Sequence, residues 1–250
     1  MAGYTVANKL PYTPTGKRLN WKAIALDSVH ADGSTELDSH SFFGSLQVKA
    51  SNHWFSSRNQ RTMIISRSNF AGMGKYGSIW LGDNHATVDD METSVIASMQ
   101  MSMFGIPLNG ADICGFGGDS TTAQLCTRWH QVGAFYTFSR NHRACWGNPQ
   151  EPWRFNATVY DAQRNVSYMD LMKEAIYTKY ALIRYYYTQM SQVSYGNNTY
   201  YTVYKPLFFE FSEDDGAFED IANNVMIGSA LKISVNAKNL TQEETDFYFP

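Results

Sequence analysis

Short apolar runs that stop at a polar residue, each followed by helix-like sequence, recur along this chain and limit the folds open to it. Residues 62–66 (Thr-Met-Ile-Ile-Ser) stop at Arg67, and residues 78–81 (Ser-Ile-Trp-Leu) stop at Gly82-Asp83-Asn84. A third short strand leads into Gly110-Ala111-Asp112-Ile113-Cys114-Gly115-Phe116, and a further break falls at Ser139-Arg140-Asn141-His142. Strand and helix in alternation predict a parallel sheet. A length of 250 residues also suits one complete (β/α)8 barrel. In such barrels a site is assembled from the C-terminal ends of several strands. Arg67, Asp83, Asp112 and His142 all stand at such ends, although each taken singly is also what an ordinary loop polar looks like.

The helices between these breaks follow from their caps and spacing. Thr87 opens Thr-Val-Asp-Asp, an N-cap with an acid three residues on, so a helix is expected over 88–104, ending before Gly105-Ile106-Pro107. Another is expected over 120–135. The longest covers 167–193, with Leu171, Ala175, Ile176, Tyr180 and Ile183 on one face. Tyr185-Tyr186-Tyr187 reads as helix packing with hydroxyls reaching solvent. Residues 204–211 read as a buried strand, and the tail from Asn224 has β character with no helix behind it.

Composition excludes several classes. With 44% hydrophobic and only 17% charged residues, the chain is too apolar and too weakly charged to be disordered. A net charge of −3 offers no basic footprint for nucleic acid, and no apolar run approaches the ~20 residues of a membrane span. Residues 1–18 contain no leader-like apolar stretch. Sequons at Asn156, Asn165, Asn197 and Asn239 point instead to a secretory route, and a natural start further upstream reconciles the two. Cys114 and Cys126 are close enough in sequence to staple one loop, leaving Cys145 over.

The polar residues at the strand ends suit sugar chemistry. Asp83 follows Trp-Leu-Gly, which places a carboxyl beside an aromatic wall, with a glycine allowing close approach. Apolar surroundings hold a proton on a carboxyl, as a general acid requires; the same Gly-Asp-Asn is also a common turn. Asp112 is flanked by small and apolar residues. Two carboxylates beside Arg67, His142, Trp80 and Phe116 resemble a sugar pocket, because hydroxyls take charged hydrogen-bond partners and ring faces take aromatics. There is no C-x-x-C, no H-E-x-x-H and no G-x-S-x-G, so neither a metal nor a cofactor is expected. Gly115-Phe116-Gly117-Gly118 lacks the residues and spacing of a nucleotide loop and reads as a flexible loop.

At these motifs the chain resembles glycoside hydrolase family 31, the α-glucosidase group. The likeness is carried by Ser66-Arg67-Ser68-Asn69-Phe70-Ala71-Gly72, Trp80-Leu81-Gly82-Asp83-Asn84, the segment 110–116, Arg128-Trp129, Gly133-Ala134-Phe135 and Ser139-Arg140-Asn141-His142. Weaker matches are Leu26-Asp27-Ser28-Val29-His30, the segment 205–211 and Gly228-Ser229-Ala230-Leu231. The resemblance implies a retaining α-glycosidase acting on terminal α-linked glucose of oligosaccharides or glycogen- and starch-like glucans. In that role Asp83 is the general acid/base, Arg67, Asp112 and His142 hold sugar hydroxyls, and Trp80 and Phe116 wall the pocket. It also implies a Cys114–Cys126 disulfide and a lysosomal, vacuolar or extracellular setting.

The departures set the remaining expectations. The family's nucleophile is an aspartate in a Trp-x-Asp-Met-Asn-Glu motif upstream of the segment matching Leu26 to His30, and the chain holds no counterpart. Asp90-Met91-Glu92 looks similar but follows Asp83 and begins a helix. The resemblance therefore implies the C-terminal part of a (β/α)8 barrel over 1–211, followed by the start of a β-sandwich domain over 212–250. The N-terminal half of the barrel is the missing partner, and the chain alone is expected to show little or no turnover. Truncation also accounts for the absent leader. The competing reading is a non-catalytic half-barrel that binds glycans or complements a partner.

Overall fold

A computed structural model describes residues 24–195, 202–240 and 246–250. Two short helices, α1 (Glu36–Ser39) and α2 (Phe43–Ser57), precede the first strand, β1 (Ile65–Ser66). Then follow β2 (Ser78–Ile79), α3 (Val88–Met103), β3 (Asp112–Ile113), α4 (Ala123–Gly133) and β4 (Arg140–Asn141). A hairpin of β5 (Val159–Asp161) and β6 (Val166–Ser167) leads to the long helix α5 (Tyr168–Tyr195). The chain then forms β7 (Tyr204–Pro206), β8 (Asn224–Ile227) and β9 (Leu231–Ser234). Among the described residues, no helix is long and apolar enough to cross a membrane.

The strand-helix alternation builds one arc. β1 pairs parallel with β2, and β3 parallel with β4. Backbone bonds from Ile79 N to Leu108 O (3.3 Å) and from Leu81 N to Gly110 O (3.0 Å) join the two ladders. Hydrogen-bonded strand segments are short, so the arc depends on the helices packed behind it. α3 contributes Met91, Val95 and Met99, spaced four apart on one face. α4 contributes Leu125, Trp129 and Val132. These meet Tyr136, Met172, Tyr204 and Ile227 in the main core, where Trp129, Tyr136, Met172 and Ile227 are fully enclosed. A second cluster of Val48, Met73, Ile79 and Ile106 packs on the other side of β2.

Several expectations need adjusting. α3 starts where the cap places it, with Thr87 Oγ1 accepting from Asp90 N at 3.1 Å. α4 starts later than expected, because Thr122 Oγ1 accepts from Leu125 N and makes Thr122 the cap, so 120–122 lie outside the helix. Of the face expected for α5, Ala175 is buried but most of the rest is not. α5 turns Met172, Ala175 and Tyr186 inward, while Ile176, Tyr180 and Ile183 are exposed. Its rotation is fixed by α4 and the turn after it: Lys179 Nζ donates to Tyr136 O at 2.7 Å and Tyr186 OH to Phe135 O at 2.8 Å. Tyr185 OH likewise donates to Ile227 O at 2.7 Å, so these two hydroxyls serve backbone carbonyls and not solvent. The strand expected over 204–211 stops at Pro206 and passes into a 3-10 turn, Leu207–Phe209. β7, β8 and β9 form one antiparallel sheet, which draws its first strand from before residue 212.

Candidate active site

The polar residues at the ends of the arc form a single chain of contacts. Asp112, the first residue of β3, is completely buried. Its Oδ2 accepts from Trp80 Nε1 at 3.1 Å, and Arg140 Nη1 stands 3.7 Å from Oδ1. Trp80 is flanked by two guanidiniums, Arg67 at 5.3 Å and Arg140 at 5.5 Å from the ring centre. Arg67 Nη1 lies 3.6 Å from Asp83 Oδ2. On the far side, Phe116 stacks on His142 with centroids 5.1 Å apart. Arg67, Trp80, Asp83, Asp112, Phe116 and His142 are thus gathered at one end of the arc.

Local backbone chemistry explains how two adjacent residues divide their roles. Gly82 has φ +97°, and a Cβ there would press to 2.8 Å on the Arg67 guanidinium, so only glycine admits this turn. Asn84 then points inward. Its Nδ2 donates to Asp112 O at 2.9 Å, its Oδ1 accepts from Asp112 N at 3.2 Å, and its carbonyl accepts from Phe116 N at 2.8 Å. Asp83 is left facing the mouth, its side chain 44% exposed. The apolar surroundings expected for Asp83 are therefore not found there. They enclose Asp112, where burial holds the carboxyl above its ordinary range despite the opposing Trp80 bond and the Arg140 and His142 charges.

The glycine run is held by Arg143 as well as by the cysteine pair beside it. Arg143 donates to Gly117 O (3.1 Å), Gly118 O (2.9 Å) and Asp119 O (3.0 Å). The loop carbonyls face a cation, the reverse of a phosphate cradle. Cys114 and Cys126 are joined by a disulfide with Cα atoms 4.3 Å apart. His130 completes a buried trio whose ligand-type atoms lie within 4.8 Å, but the two sulfurs are spent on each other. Cys145 is free and exposed. Of the sequons, Asn156 and Asn165 are exposed and Asn239 is half-buried; Asn197 lies outside the described residues.

Three side chains at the site were not singled out from the sequence. Arg140 and Asn84 sit inside the motifs that hold His142 and Asp83, and Trp146 packs edge-on to Phe116 at 6.3 Å. Arg140 carried a usable signal, since it stands two residues before His142 at the same strand end.

An arc of parallel strands with polar residues at one end is the arrangement of a (β/α)8 barrel. Residues 11–189 match the Glycosyl hydrolases family 31 TIM-barrel domain, and the chain belongs to that family. It is 37% identical to lysosomal alpha-glucosidase of Bos taurus over 243 residues, which is 96% of this chain and 24% of that protein. Among solved structures it resembles the family 31 alpha-glucosidase from Bacteroides thetaiotaomicron (30% identity, TM-score 0.67, 82% of this chain and 33% of that one). It also resembles glucosidase II alpha subunit in its Glc1Man2-bound form (26% identity, TM-score 0.75, 89% of this chain and 23% of that one). The chain spans about a quarter of the length of the lysosomal relative.

Proposed function

We propose that this chain is the part of a retaining α-glucosidase that carries the acid/base and most of the first sugar subsite, acting on terminal α-linked glucose of oligosaccharides or glucans. The observation that carries this reading is the continuous contact path from Asp83 through Arg67 and Trp80 to buried Asp112. Asp83, at the mouth, protonates the departing glycosidic oxygen and later activates water. Asp112, Arg67 and His142 hold hydroxyls, and Trp80 and Phe116 flank the ring. Charged partners bind hydroxyls strongly where water is excluded, and an oxocarbenium-like transition state is stabilised by nearby carboxylates.

On this reading residues 1–211 supply later strands of the barrel and 212–250 begin a β domain, joined through the sheet of β7 to β9. The partner is the half-barrel that precedes them and brings the nucleophile. A cavity of about 300 Å³ between β4 and α5, lined by Ile113, Arg140, Ile176, Tyr180 and Ile183, is an apolar seat for that half. A secretory setting accords with the disulfide and with exposed Asn156 and Asn165 as glycan acceptors. The chain alone is expected to show little or no turnover of an α-glucoside. Co-expression with the preceding barrel half of a family 31 relative should restore cleavage of a chromogenic α-glucoside. Asp83→Asn should then lower it by roughly 10²–10⁴-fold, the usual worth of a general acid/base. Full activity with Asp83→Asn would remove Asp83 from the chemistry.

A further inference from the structure

Gln150 is 2% exposed and lies behind the ends of β3 and β4. Its Nε2 donates among four acceptors: Ile113 O at 3.1 Å, Gly115 O at 3.1 Å, Asn141 Oδ1 at 3.2 Å and His142 O at 2.9 Å. An amide has two N–H groups, so these bonds are shared, and each tether is to a different peptide or side chain. Asn141 Nδ2 returns a bond to Gln150 O at 3.0 Å. The tethered turn is strained. Cys114 has φ +75° and Gly115 φ +89°, and a non-glycine residue in that region persists only when its surroundings hold it. Gln150 grips the carbonyls on either side of Cys114.

We propose that Gln150 is a positioning residue that locks the turn after Asp112 to the turn carrying His142, so that both face the same sugar. It touches no substrate. The disulfide ties Cys114 back to α4, whereas Gln150 ties it across to β4 and its following loop. Without that tie, the Phe116–His142 stack and the Asp112 carboxyl can drift apart while the core behind them stays packed. This inference rests on reading the site as a sugar pocket, but its structural half can be tested separately.

The test compares the 250-residue chain with Gln150→Met, which keeps length and apolar bulk and removes the donors. The first readout is the ring-current shift on the His142 imidazole protons by NMR, with far-UV circular dichroism as the check on folding. The second is affinity for methyl α-glucoside. The expected result is loss of the Phe116-induced shift with the fold retained, and affinity roughly tenfold weaker, the worth of about one hydrogen bond to a charged group. Loss of the shift in Gln150→Met, with no sugar bound even by the wild-type chain, supports the positioning role and counts against the sugar reading alone. An unchanged shift and unchanged affinity overturn the proposal. If Gln150→Met does not fold, Asn141→Ala removes one acceptor and the return bond and carries the same readouts.

Discussion

Asp112 pairs complete burial with contacts that favour its charge, and burial wins. Its carboxyl is held above the ordinary value, chiefly by desolvation, against the Trp80 hydrogen bond and the Arg140 and His142 charges. The folded state therefore binds this proton more tightly than the unfolded chain does. The side chain supports folding fully below the ordinary carboxylate range, and that support is lost as pH rises through the raised value. Asp112→Asn should thus gain stability relative to wild type as pH climbs from about 3 to about 7, read from urea midpoints at a series of pH values. A pH-independent difference would show that burial does not govern this carboxyl. Lys179 has the opposite dependence. Burial lowers its ammonium to about 8, so its contribution rises as pH increases from there toward the unfolded value, and Lys179→Met should flatten the stability profile across that window. Asp112 could be read from its small, apolar neighbours. The exposure of Asp83 could not, because it depends on Asn84 turning inward to bond β3, a contact 28 residues away in sequence.

Helix starts were legible where a hydroxyl residue and an acid stood at the right spacing. Thr87 caps α3 through Asp90 N, and Thr87→Ala should cost about 1 kcal/mol, measurable by chemical denaturation. No change would mean that Val88 and the preceding loop already hold the first turn. The rotation of α5 was not legible. Its apolar residues cover more than one face, and the inward face is selected by Lys179 and Tyr186 reaching carbonyls beside α4. α2 shows how little a weak pattern announces, for it buries only Gly44 and Val48. The strand expected over 204–211 is shorter in the structure, because the backbone turns into a 3-10 segment after Pro206 although apolar content continues.

At the scale of the molecule, length misleads and order informs. A chain of 250 residues suits a whole barrel, yet β1 to β4 form an arc of two joined ladders with the candidate site at one end. The succession of strand-end polar residues anticipated that arrangement, because each break between strand and helix adds one side chain to the same end of a barrel. Both parts of the antiparallel sheet of β7 to β9 are legible as β character, at 204–211 and in the tail, but their pairing is not, since 3-10 turns separate β7 from β8 in the chain. We propose that the strand ends make a pocket for an α-linked glucose. Titration of methyl α-glucoside into the chain, followed by the fluorescence of Trp80 against a Trp80→Phe reference, tests it most directly. Saturable binding that disappears in Asp112→Ala, with methyl β-glucoside bound more weakly, is the predicted result. No binding, or binding indifferent to Asp112, would contradict it.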